Sequence, residues 1–425
     1  MSLLLKNGRV IDPATGTDET LDILIDKGKF IAMKPRIEAA SARIIDVSRL
    51  VVAPGFIDMH THLRDPGQED KETIRTGSLA AARGGFTSVA CMPNTTPVND
   101  NRGVTEYILS EAKKKAVINI FPIAAVSKNL EGEELTDMGD LVEAGAVAFS
   151  DDGLPVRTSE IMRRALEYTK PLGTFIIDHC EEKSLTQDGV MNEGYYSYLF
   201  GLPGMPSAAE EIIVARDLIL AEKAEARIHI AHLSVKRAVD LIREAKRRKV
   251  RVTAEVTPHH LLLNDSALED YDTNLKVNPP LRTKEDSDYL IGAVKDGTVD
   301  VFATDHAPHT LDEKSVEFDK APFGINGLET AVSLLLDRLV NNKIISLSRF
   351  VEMMSTSPAL ILGLKTKGQI AVGADADLTV LNLNKDTIVD ANRFKSKSRN
   401  TPFQGWKLRG APVMTIVRGR IVYSA

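Results

Sequence analysis

The sequence predicts an α/β protein that combines a (β/α)8 TIM-like barrel with a small β-sandwich domain built from both termini. Three features of the 425 residues lead to this prediction: eight apolar runs of strand length, amphipathic runs of helical length between them, and short alternating strands confined to the two ends. Such apolar runs are typical of parallel strands buried on both faces. Eight of them alternating with helices over ~250–300 residues indicate a closed barrel.

The two ends of the chain have the pattern of short strands separated by glycine, aspartate and proline. Near the N-terminus the predicted strands are residues 3–6, 22–25, 30–33 and 43–46. Near the C-terminus they are residues 376–381, 411–417 and 420–423. Arg418-Gly419 is the predicted hairpin turn between the last two. Neither end is large enough to fold alone, so residues 1–52 and 366–425 are predicted to form one β-sandwich.

The barrel is predicted to occupy residues 53–365, with its first strand overlapping the boundary. Its strands are assigned to residues 51–58, 87–92, 118–126, 146–150, 175–179, 228–232, 250–256 and 299–304. Amphipathic helices are assigned to residues 73–83, 100–115, 160–170, 235–248 and 286–295. Ser207 and Glu210 have the spacing of a capping box and predict another helix that runs to about residue 224.

Composition excludes several classes of protein. The formal net charge is −6, from 59 acidic and 53 basic residues, whereas nucleic-acid-binding chains usually carry a basic surplus. Two cysteines cannot form a disulfide framework, which indicates an intracellular, cytoplasmic protein. No apolar run approaches the ~20 residues of a membrane span. We therefore expect a small-molecule substrate, with no nucleic acid or membrane partner.

Histidines cluster at the predicted C-terminal ends of barrel strands, where barrel enzymes place their active sites. His60 and His62 follow the first strand, and residues two apart on an extended chain point the same way. One metal ion could therefore bind both imidazoles. The same pattern taken alone is equally typical of packing histidines.

Further ligand types follow other strands. His179, His232 and Asp305 end the fifth, sixth and eighth strands, and Asp151-Asp152 ends the fourth. Singly, such residues often cap helices or form structural hydrogen bonds. Together they predict a metal site at one barrel mouth. Nitrogen and oxygen ligands without thiolates suit zinc, with manganese or cobalt as substitutes.

The remaining histidines and cysteines have simpler interpretations. His229 should face away from His232 and is interpreted as structural. His259 and His260 lie near the mouth, where one of them could support the site without ligating a metal. Cys91 and Cys180 are interpreted as packing thiols.

Several motifs resemble the amidohydrolase superfamily, and within it the dihydroorotases of the long-chain bacterial type. The superfamily features are Pro54-Gly55-Phe56-Ile57-Asp58 before His60-Thr61-His62, the two later histidines and the last-strand aspartate. The closer similarity rests on His62-Leu63-Arg64-Asp65-Pro66-Gly67, Met92-Pro93-Asn94-Thr95, Ser150-Asp151-Asp152-Gly153, Asn278-Pro279-Pro280-Leu281-Arg282, residues 305–309 and Lys397-Ser398-Arg399-Asn400-Thr401-Pro402-Phe403. It extends over essentially the whole chain.

The resemblance implies an enzyme that interconverts N-carbamoyl-L-aspartate and L-dihydroorotate in pyrimidine synthesis, with one or two Zn²⁺ per chain. It assigns one metal to His60, His62 and Asp305, and a second to His179 and His232. It also selects Asp152 over Asp151 as the bridge. Many relatives bridge with a carboxylated lysine, but residues 146–153 contain no lysine. The number of metal ions is therefore left open.

The chemistry of ring opening assigns further roles. An amide needs an activated water, stabilisation of the oxyanion, and a proton for the leaving nitrogen; metal ions supply the first two. Asp305 is the candidate to carry the proton. Arg64 has the planar guanidinium suited to the ring carboxylate. The resemblance adds Asn94 and His309 to the carboxylate contacts, and Asn278 at the ring edge.

Residues 310–327 follow the last barrel strand and are interpreted either as a lid over the substrate or as an ordinary connection. Two alternative functions are weighed. A hydantoinase or allantoinase would normally use the bridging lysine, and a catalytically silent structural subunit of a carbamoyltransferase complex would be expected to lack metal ligands. The resemblance also implies a homodimer and, for some relatives, an aspartate carbamoyltransferase partner.

Overall fold

The structure is a computed structural model that describes residues 2–425. The strands are β1 (Leu3–Asp12), β2 (Thr17–Asp26), β3 (Lys29–Lys34), β4 (Arg43–Asp46), β5 (Val51–Pro54), β6 (Phe56–Thr61), β7 (Phe86–Cys91), β8 (Asn119–Ala124), β9 (Ala148–Phe149), β10 (Ile176–Asp178), β11 (Met191–Asn192), β12 (Gly204–Met205), β13 (Ile228–Ile230), β14 (Val252–Val256), β15 (Val301–Phe302), β16 (Leu378–Ile388), β17 (Lys407–Val417) and β18 (Arg420–Ser424). The α-helices are α1 (Ile74–Gly84), α2 (Arg102–Lys115), α3 (Met138–Ala144), α4 (Ser159–Leu172), α5 (Lys183–Thr186), α6 (Tyr195–Phe200), α7 (Ala208–Ala224), α8 (Lys236–Arg247), α9 (Pro258–Leu262), α10 (Lys284–Asp296), α11 (Leu311–Lys314), α12 (Ala331–Leu335), α13 (Leu347–Val351) and α14 (Ser357–Ile361).

The barrel contains eight strands that neighbour one another in chain order, from β6 through β10 and then β13 to β15. Every neighbouring pair is parallel. Between the first and last strands, the His62 amide donates to the His306 carbonyl at 2.9 Å. Deeper in the barrel, the Asp58 carboxylate accepts hydrogen bonds from the Thr304 amide and hydroxyl. The predicted barrel is confirmed, and these contacts join its first strand to its last.

The predicted first barrel strand, residues 51–58, is two strands in the structure. β5 pairs with β1 and β16 in the terminal sheet, and only β6 belongs to the barrel. The chain passes from one to the other at Gly55. A Cβ atom there would lie 2.1 Å from the Thr87 hydroxyl, so this close approach requires glycine. Because both strands are buried, the sequence shows one uninterrupted apolar run and no signal of the break at Gly55.

The terminal domain interleaves strands from the two ends of the chain. Its order is β18-β17-β16-β5-β1-β2-β3, with β4 paired to β1. One continuous hydrogen-bonded sheet therefore contains all eight strands. Phe30, Val52, Leu378 and Ile416 belong to its shared core. The prediction that both termini build one β domain is confirmed.

The predicted helices are present, but the expected capping box at the start of α7 is wrong. Ser207 has helical backbone angles, and its side chain makes no capping hydrogen bond. Glu210 is buried and instead accepts bonds from the Ser234 amide and hydroxyl and the Val235 amide. These groups precede α8, so a tertiary contact replaces the local one.

Residues 395–403, which we call the mouth loop, lie in the connection between β16 and β17 of the terminal sheet. This loop reaches the barrel: the Lys397 amide donates to the Glu72 carboxylate at 3.2 Å, and the Ser398 hydroxyl donates to the Lys71 carbonyl at 2.8 Å. The terminal domain thus contacts the rim of the barrel mouth. Among the helices of residues 2–425, none has both the length and the apolar character needed to cross a membrane.

Candidate active site

The predicted metal ligands lie at or just beyond the C-terminal ends of barrel strands. His60 lies within β6, and His62 follows its end. The other four lie beyond β9, β10, β13 and β15: Asp152, His179, His232 and Asp305. All six side chains are buried. Parallel strands therefore bring together residues that are far apart in sequence, at the face where barrel enzymes hold their active sites.

Two overlapping groups of these side chains have the spacing of metal ligands. His60, His62 and Asp305 form the first, and His60, Asp152 and His232 form the second. In the first, Oδ1 of Asp305 lies 3.1 Å from Nε2 of His62 and 3.4 Å from Nε2 of His60. Because the groups share His60, they are two parts of one site.

Asp152 lies at the centre of the four imidazoles. Its Oδ1 is 3.4 Å from Nε2 of His60, 3.6 Å from Nε2 of His232 and 3.8 Å from Nδ1 of His179. Its Oδ2 is 3.4 Å from Nε2 of His62. A carboxylate with one oxygen near three imidazoles and the other near the fourth has the geometry expected of a bridging ligand.

The neighbouring Asp151 faces another way. Its Oδ1 accepts hydrogen bonds from the amides of Val126 and Ser127, and its Oδ2 accepts from the Ser127 hydroxyl. Burial raises the pKa of Asp151 to about 6. These bonds occupy both oxygens and fix the turn that presents Asp152.

The donor set fits a resident metal ion. Within residues 2–425, Nε2 of His60 and Oδ1 of Asp152 are buried and have no hydrogen-bond partner. Buried polar atoms normally have one, because leaving them unpaired costs about 1–3 kcal/mol. Imidazole nitrogens and carboxylate oxygens converge here without a thiolate. This chemistry matches a divalent ion of the zinc type.

Electrostatics keep the two carboxylates ionised. Burial opposes ionisation of Asp305, but the charge of His60 and a hydrogen bond with His62 outweigh it and lower the pKa. For Asp152 too, burial is outweighed, and the pKa lies well below its usual value because of His60 and His232. Two anionic carboxylates among imidazoles give the site the charge that a cation requires.

A buried glutamate that the sequence analysis missed supports two of the predicted ligands. Glu255 on β14 lies 2.6 Å from Nδ1 of His60 and accepts a bond from the His232 amide at 3.1 Å. It also lies 3.1 Å from Nε2 of His229, whose Nδ1 contacts the Thr253 hydroxyl. Glu255 thus fixes the ring of one ligand and the backbone of another. His229 has the structural contacts expected of it.

The two remaining imidazoles have their own supports. Nε2 of His179 lies 2.9 Å from the Glu181 carboxylate, which also accepts from Lys183 and Thr186. Nδ1 of His62 lies 2.9 Å from Oδ1 of Asn94. Such contacts set the orientation of metal-binding histidines and raise their basicity. The sequence signal was a charged residue inside a buried strand for Glu255, and no comparable signal exists for Glu181.

Three site residues adopt left-handed backbone conformations that favour glycine. The φ angles are 61° at Arg64, 27° at His232 and 46° at Asp305. Non-glycine residues in this region carry backbone strain, which is common where a function depends on the direction of a side chain. The bond from the His232 amide to Glu255 helps to hold one of them.

The predicted carboxylate-binding residues lie together at the rim. Nη2 of Arg64 is 3.3 Å from Nε2 of His309, and its Nε donates to the Pro308 carbonyl at 3.3 Å. Burial and the Arg64 charge lower the pKa of His309 to about 3, so this imidazole is neutral at physiological pH. Asn94 holds His62 through Oδ1, leaving its Nδ2 for another partner.

Asn278 reaches the other side of the site. Its Nδ2 donates to the Glu181 carboxylate at 3.0 Å and lies 3.4 Å from Nε2 of His179. In the structure it therefore contacts the support of a predicted metal ligand.

Residues 310–327 pack against the same rim. Nε2 of His309 lies 2.9 Å from the Phe323 carbonyl. The buried Lys314 donates to the carbonyls of Thr273 and Pro322, and Lys276 donates to the Asp319 carbonyl. Burial lowers the pKa of Lys314 to about 7. Lys314 and Lys276 thus bond to uncharged acceptors, while Lys71 holds the same segment through the Glu313 carboxylate at 2.8 Å.

The other histidines and cysteines have buried positions. His260 contacts the Thr257 hydroxyl and the Pro279 carbonyl, whereas Nε2 of His259 has no partner among residues 2–425. Burial raises the pKa of Cys91 to about 12, and that of Cys180 is also raised. Neither thiol belongs to the two ligand groups described above.

Comparisons with known proteins identify similar sequences over the whole chain. The family profile "Dihydro-orotase-like" matches residues 48–238, and "Amidohydrolase family" matches residues 219–423. The chain is 54% identical over 425 residues to a dihydroorotase of Syntrophus aciditrophicus, covering 100% of this chain and 99% of the relative. It is 53% identical over 422 residues to a dihydroorotase of Pelotomaculum thermopropionicum, covering 99% and 98%.

Solved structures share the fold at lower identity. An L-hydantoinase (dihydropyrimidinase) from Arthrobacter aurescens matches with a TM-score of 0.91 and 28% identity, covering 99% of this chain and 96% of that one. A dihydropyrimidinase from Brevibacillus agri matches with a TM-score of 0.86 and 27% identity, covering 100% and 95%. The sequence relatives and the structural relatives thus carry names of different cyclic-amide enzymes.

Proposed function

The chain belongs to the dihydroorotase family, and we propose that it catalyses the reversible, zinc-dependent cyclisation of N-carbamoyl-L-aspartate to L-dihydroorotate in de novo pyrimidine (UMP) biosynthesis. The enzyme is a hydrolase of a cyclic amide C–N bond. One observation above all supports the proposed site: the Asp152 carboxylate lies within 4 Å of all four predicted imidazole ligands.

In this proposal His60, His62 and Asp305 would hold one zinc ion, His179 and His232 would hold a second, and Asp152 would be a ligand shared by the two. When bound, such ions lower the pKa of water and polarise a carbonyl group. Glu255 and Glu181 orient the histidines. The unpartnered buried atoms of His60 and Asp152 support this assignment.

Asp305 is proposed to move the proton. Its carboxyl group is ionised at neutral pH and can therefore accept one. In ring opening it takes the proton released by the attacking water and delivers it to the ring nitrogen as the C–N bond breaks. In cyclisation it takes a proton from the ureido nitrogen while that nitrogen attacks the carbon of the protonated side-chain carboxyl group, and it passes this proton to the leaving hydroxyl, which departs as water.

Arg64 is proposed to bind the carboxylate that the substrate and product both retain. Its guanidinium is buried, so a charge-assisted hydrogen bond there is stronger than one in water. Nδ2 of Asn94 supplies a further donor, and His309, whose Nε2 lies 2.9 Å from the Phe323 carbonyl, is proposed to complete this subsite beside Arg64. Asn278 is proposed to contact the ring edge through Oδ1, since its Nδ2 already donates to the Glu181 carboxylate.

The alternative functions are less well supported. The two hydantoinase-type structures described above share 27–28% identity with this chain, compared with 53–54% for the two dihydroorotases described above. The strand-end motif carries aspartate where their bridging lysine is expected. A silent structural subunit would not be expected to retain all six ligand side chains in one buried cluster.

The test is turnover of L-dihydroorotate by the purified protein, with hydantoin, allantoin and dihydrouracil as comparison substrates. We expect ring opening of dihydroorotate to be the fastest reaction by far. Exhaustive chelation should abolish it, and zinc should restore it, with cobalt or manganese as partial substitutes. Full activity after chelation, or a preference for an uncharged ring, would refute the proposal.

Three further assignments rest on family membership and composition. We propose a cytoplasmic enzyme that forms a homodimer and, as implied for some relatives, associates with an aspartate carbamoyltransferase. Light scattering during gel filtration of the chain, alone and mixed with that enzyme, tests both assemblies. A monomer at micromolar concentration would contradict the first.

A further inference from the structure

The mouth loop belongs to the terminal domain, yet one of its side chains is built into the barrel rim. Asn400 is buried. Its Nδ2 donates to the carbonyls of Ala307 and Gly324, both at 3.0 Å, and its Oδ1 accepts from the His309 amide at 3.2 Å. The Nδ2 group of Asn400 therefore donates two hydrogen bonds to the barrel rim, and Oδ1 accepts one from it.

These bonds hold the backbone on both sides of Pro308. Ala307 precedes it and His309 follows it, and Asn400 bonds to a backbone group of each. The Pro308 carbonyl accepts from Nε of Arg64, and the His309 ring lies 3.3 Å from the same guanidinium. Asn400 thus fixes the segment against which Arg64 is oriented, without itself contacting Arg64.

The packing around Asn400 leaves little freedom. A Cβ atom at Gly324 would lie 2.7 Å from the Ala307 carbonyl oxygen, and Gly324 has a φ of 142°. Glycine is therefore required where the segments around residues 307 and 324 approach each other. Asn400 bridges both carbonyls at this point. Its own carbonyl accepts from the Asn326 amide at 2.8 Å. A shorter side chain would leave two buried carbonyls and one amide without these partners.

We propose that Asn400 is a positioning residue for the carboxylate subsite, so that the terminal domain completes the specificity of the barrel. This inference rests on the proposed function. Asn400 sets the position of the 307–309 segment, and through it the directions of Arg64 and His309 toward an anionic substrate. The side-chain bonds of Asn400 go to residues 307, 309 and 324, none of which is among the six predicted metal ligands.

The experiment compares Asn400→Ala and Asn400→Asp with the wild-type enzyme. Aspartate keeps the acceptor for the His309 amide but cannot donate to the carbonyls of Ala307 and Gly324. It therefore remains informative if the alanine variant does not fold. We expect the KM for L-dihydroorotate to rise about 10- to 100-fold in each, since the aspartate variant loses two buried hydrogen bonds and the alanine variant loses three. Zinc content and kcat at saturating substrate should change little. The matched control is Asn392→Ala, an exposed asparagine in the same connection, which should behave as wild type.

A double-mutant cycle with Arg64→Met separates positioning from a general structural effect. If Asn400 acts by orienting Arg64 through the 307–309 segment, its replacement should raise KM much less in the Arg64→Met background. Additive effects, or an unchanged KM in the folded single variants of an active enzyme, would overturn the inference. A wild-type protein that does not turn over dihydroorotate would instead refute the proposed function, and this inference with it.

Discussion

Replacing Glu255 with glutamine should weaken metal retention while leaving the fold intact. Glutamine can keep its oxygen toward His60 and the His232 amide, where Oε1 of Glu255 lies 2.6 and 3.1 Å away, and turn its amide toward His229. The shape is preserved and the charge is lost. A charged hydrogen bond contributes about 1.5–3 kcal/mol and a neutral one about 0.5–1.5. The difference of about 1–1.5 kcal/mol corresponds to a roughly 5- to 13-fold weaker metal affinity.

Glu255→Ala removes all three contacts and should reach the ~10–100-fold loss usual for a group that supports metal ligands. The assay is competition for zinc with a chelator of known affinity, combined with elemental analysis of the purified variants. Glu244→Gln, an exposed change on α8, controls for the loss of one charge. If both Glu255 variants bound zinc as tightly as the wild type, Glu255 would not support the metal ligands.

Three further predictions concern the bridge, the carboxylate subsite and the buried lysine. Asp152→Ala should lower zinc content by elemental analysis, most at the second site, whereas Asp151→Ala should lower it less; the reverse order would exclude Asp152 as the bridge. Arg64→Met should reduce kcat/KM for dihydroorotate by about 10- to 100-fold with zinc content unchanged; a matching loss on an uncharged ring would contradict a carboxylate-specific role. Burial lowers the pKa of Lys314 to about 7, whereas an unfolded lysine titrates near ~10.4, so between these values the unfolded chain binds the extra proton and stability should rise with pH. The free energy of unfolding, measured with urea, should rise less from pH 7 to pH ~9.5 for Lys314→Met than for wild type. Equal slopes would show that Lys314 does not cause the pH dependence of stability.

The barrel was predictable because its strands are short apolar runs at regular intervals, a pattern that few other folds share. The candidate ligands were predictable because parallel strands point their C-terminal ends at one face. His179 and His232 could be grouped from this rule alone, although their sequence separation is large. Asp152 could not be chosen over Asp151 from alternation, since the choice depends on which carboxylate the amides of Val126 and Ser127 bind.

Predictions from the sequence were wrong or missing where tertiary contacts override local patterns. Glu210 resembles a capping residue of its own helix but bonds to Ser234 in the next unit. Glu255 looks like an isolated charge until three histidine residues are found around it. Asn400 lies in a motif that carries the family resemblance but received no role from the sequence, because its partners lie more than 70 residues away. Contacts between residues so far apart in the chain leave no periodic pattern in the local sequence.

The most direct test of the account is the turnover of zinc-loaded Asp305→Asn on L-dihydroorotate. Asparagine keeps the size of the side chain and an oxygen toward the metal site, but it cannot accept and deliver a proton. We predict that kcat falls by about 10²–10⁴-fold, the scale of a general acid–base group, while a bound dihydroorotate is still detected by calorimetry. A zinc-replete Asp305→Asn enzyme with near-normal kcat would contradict the central claim that this carboxylate carries the proton of ring opening and closure.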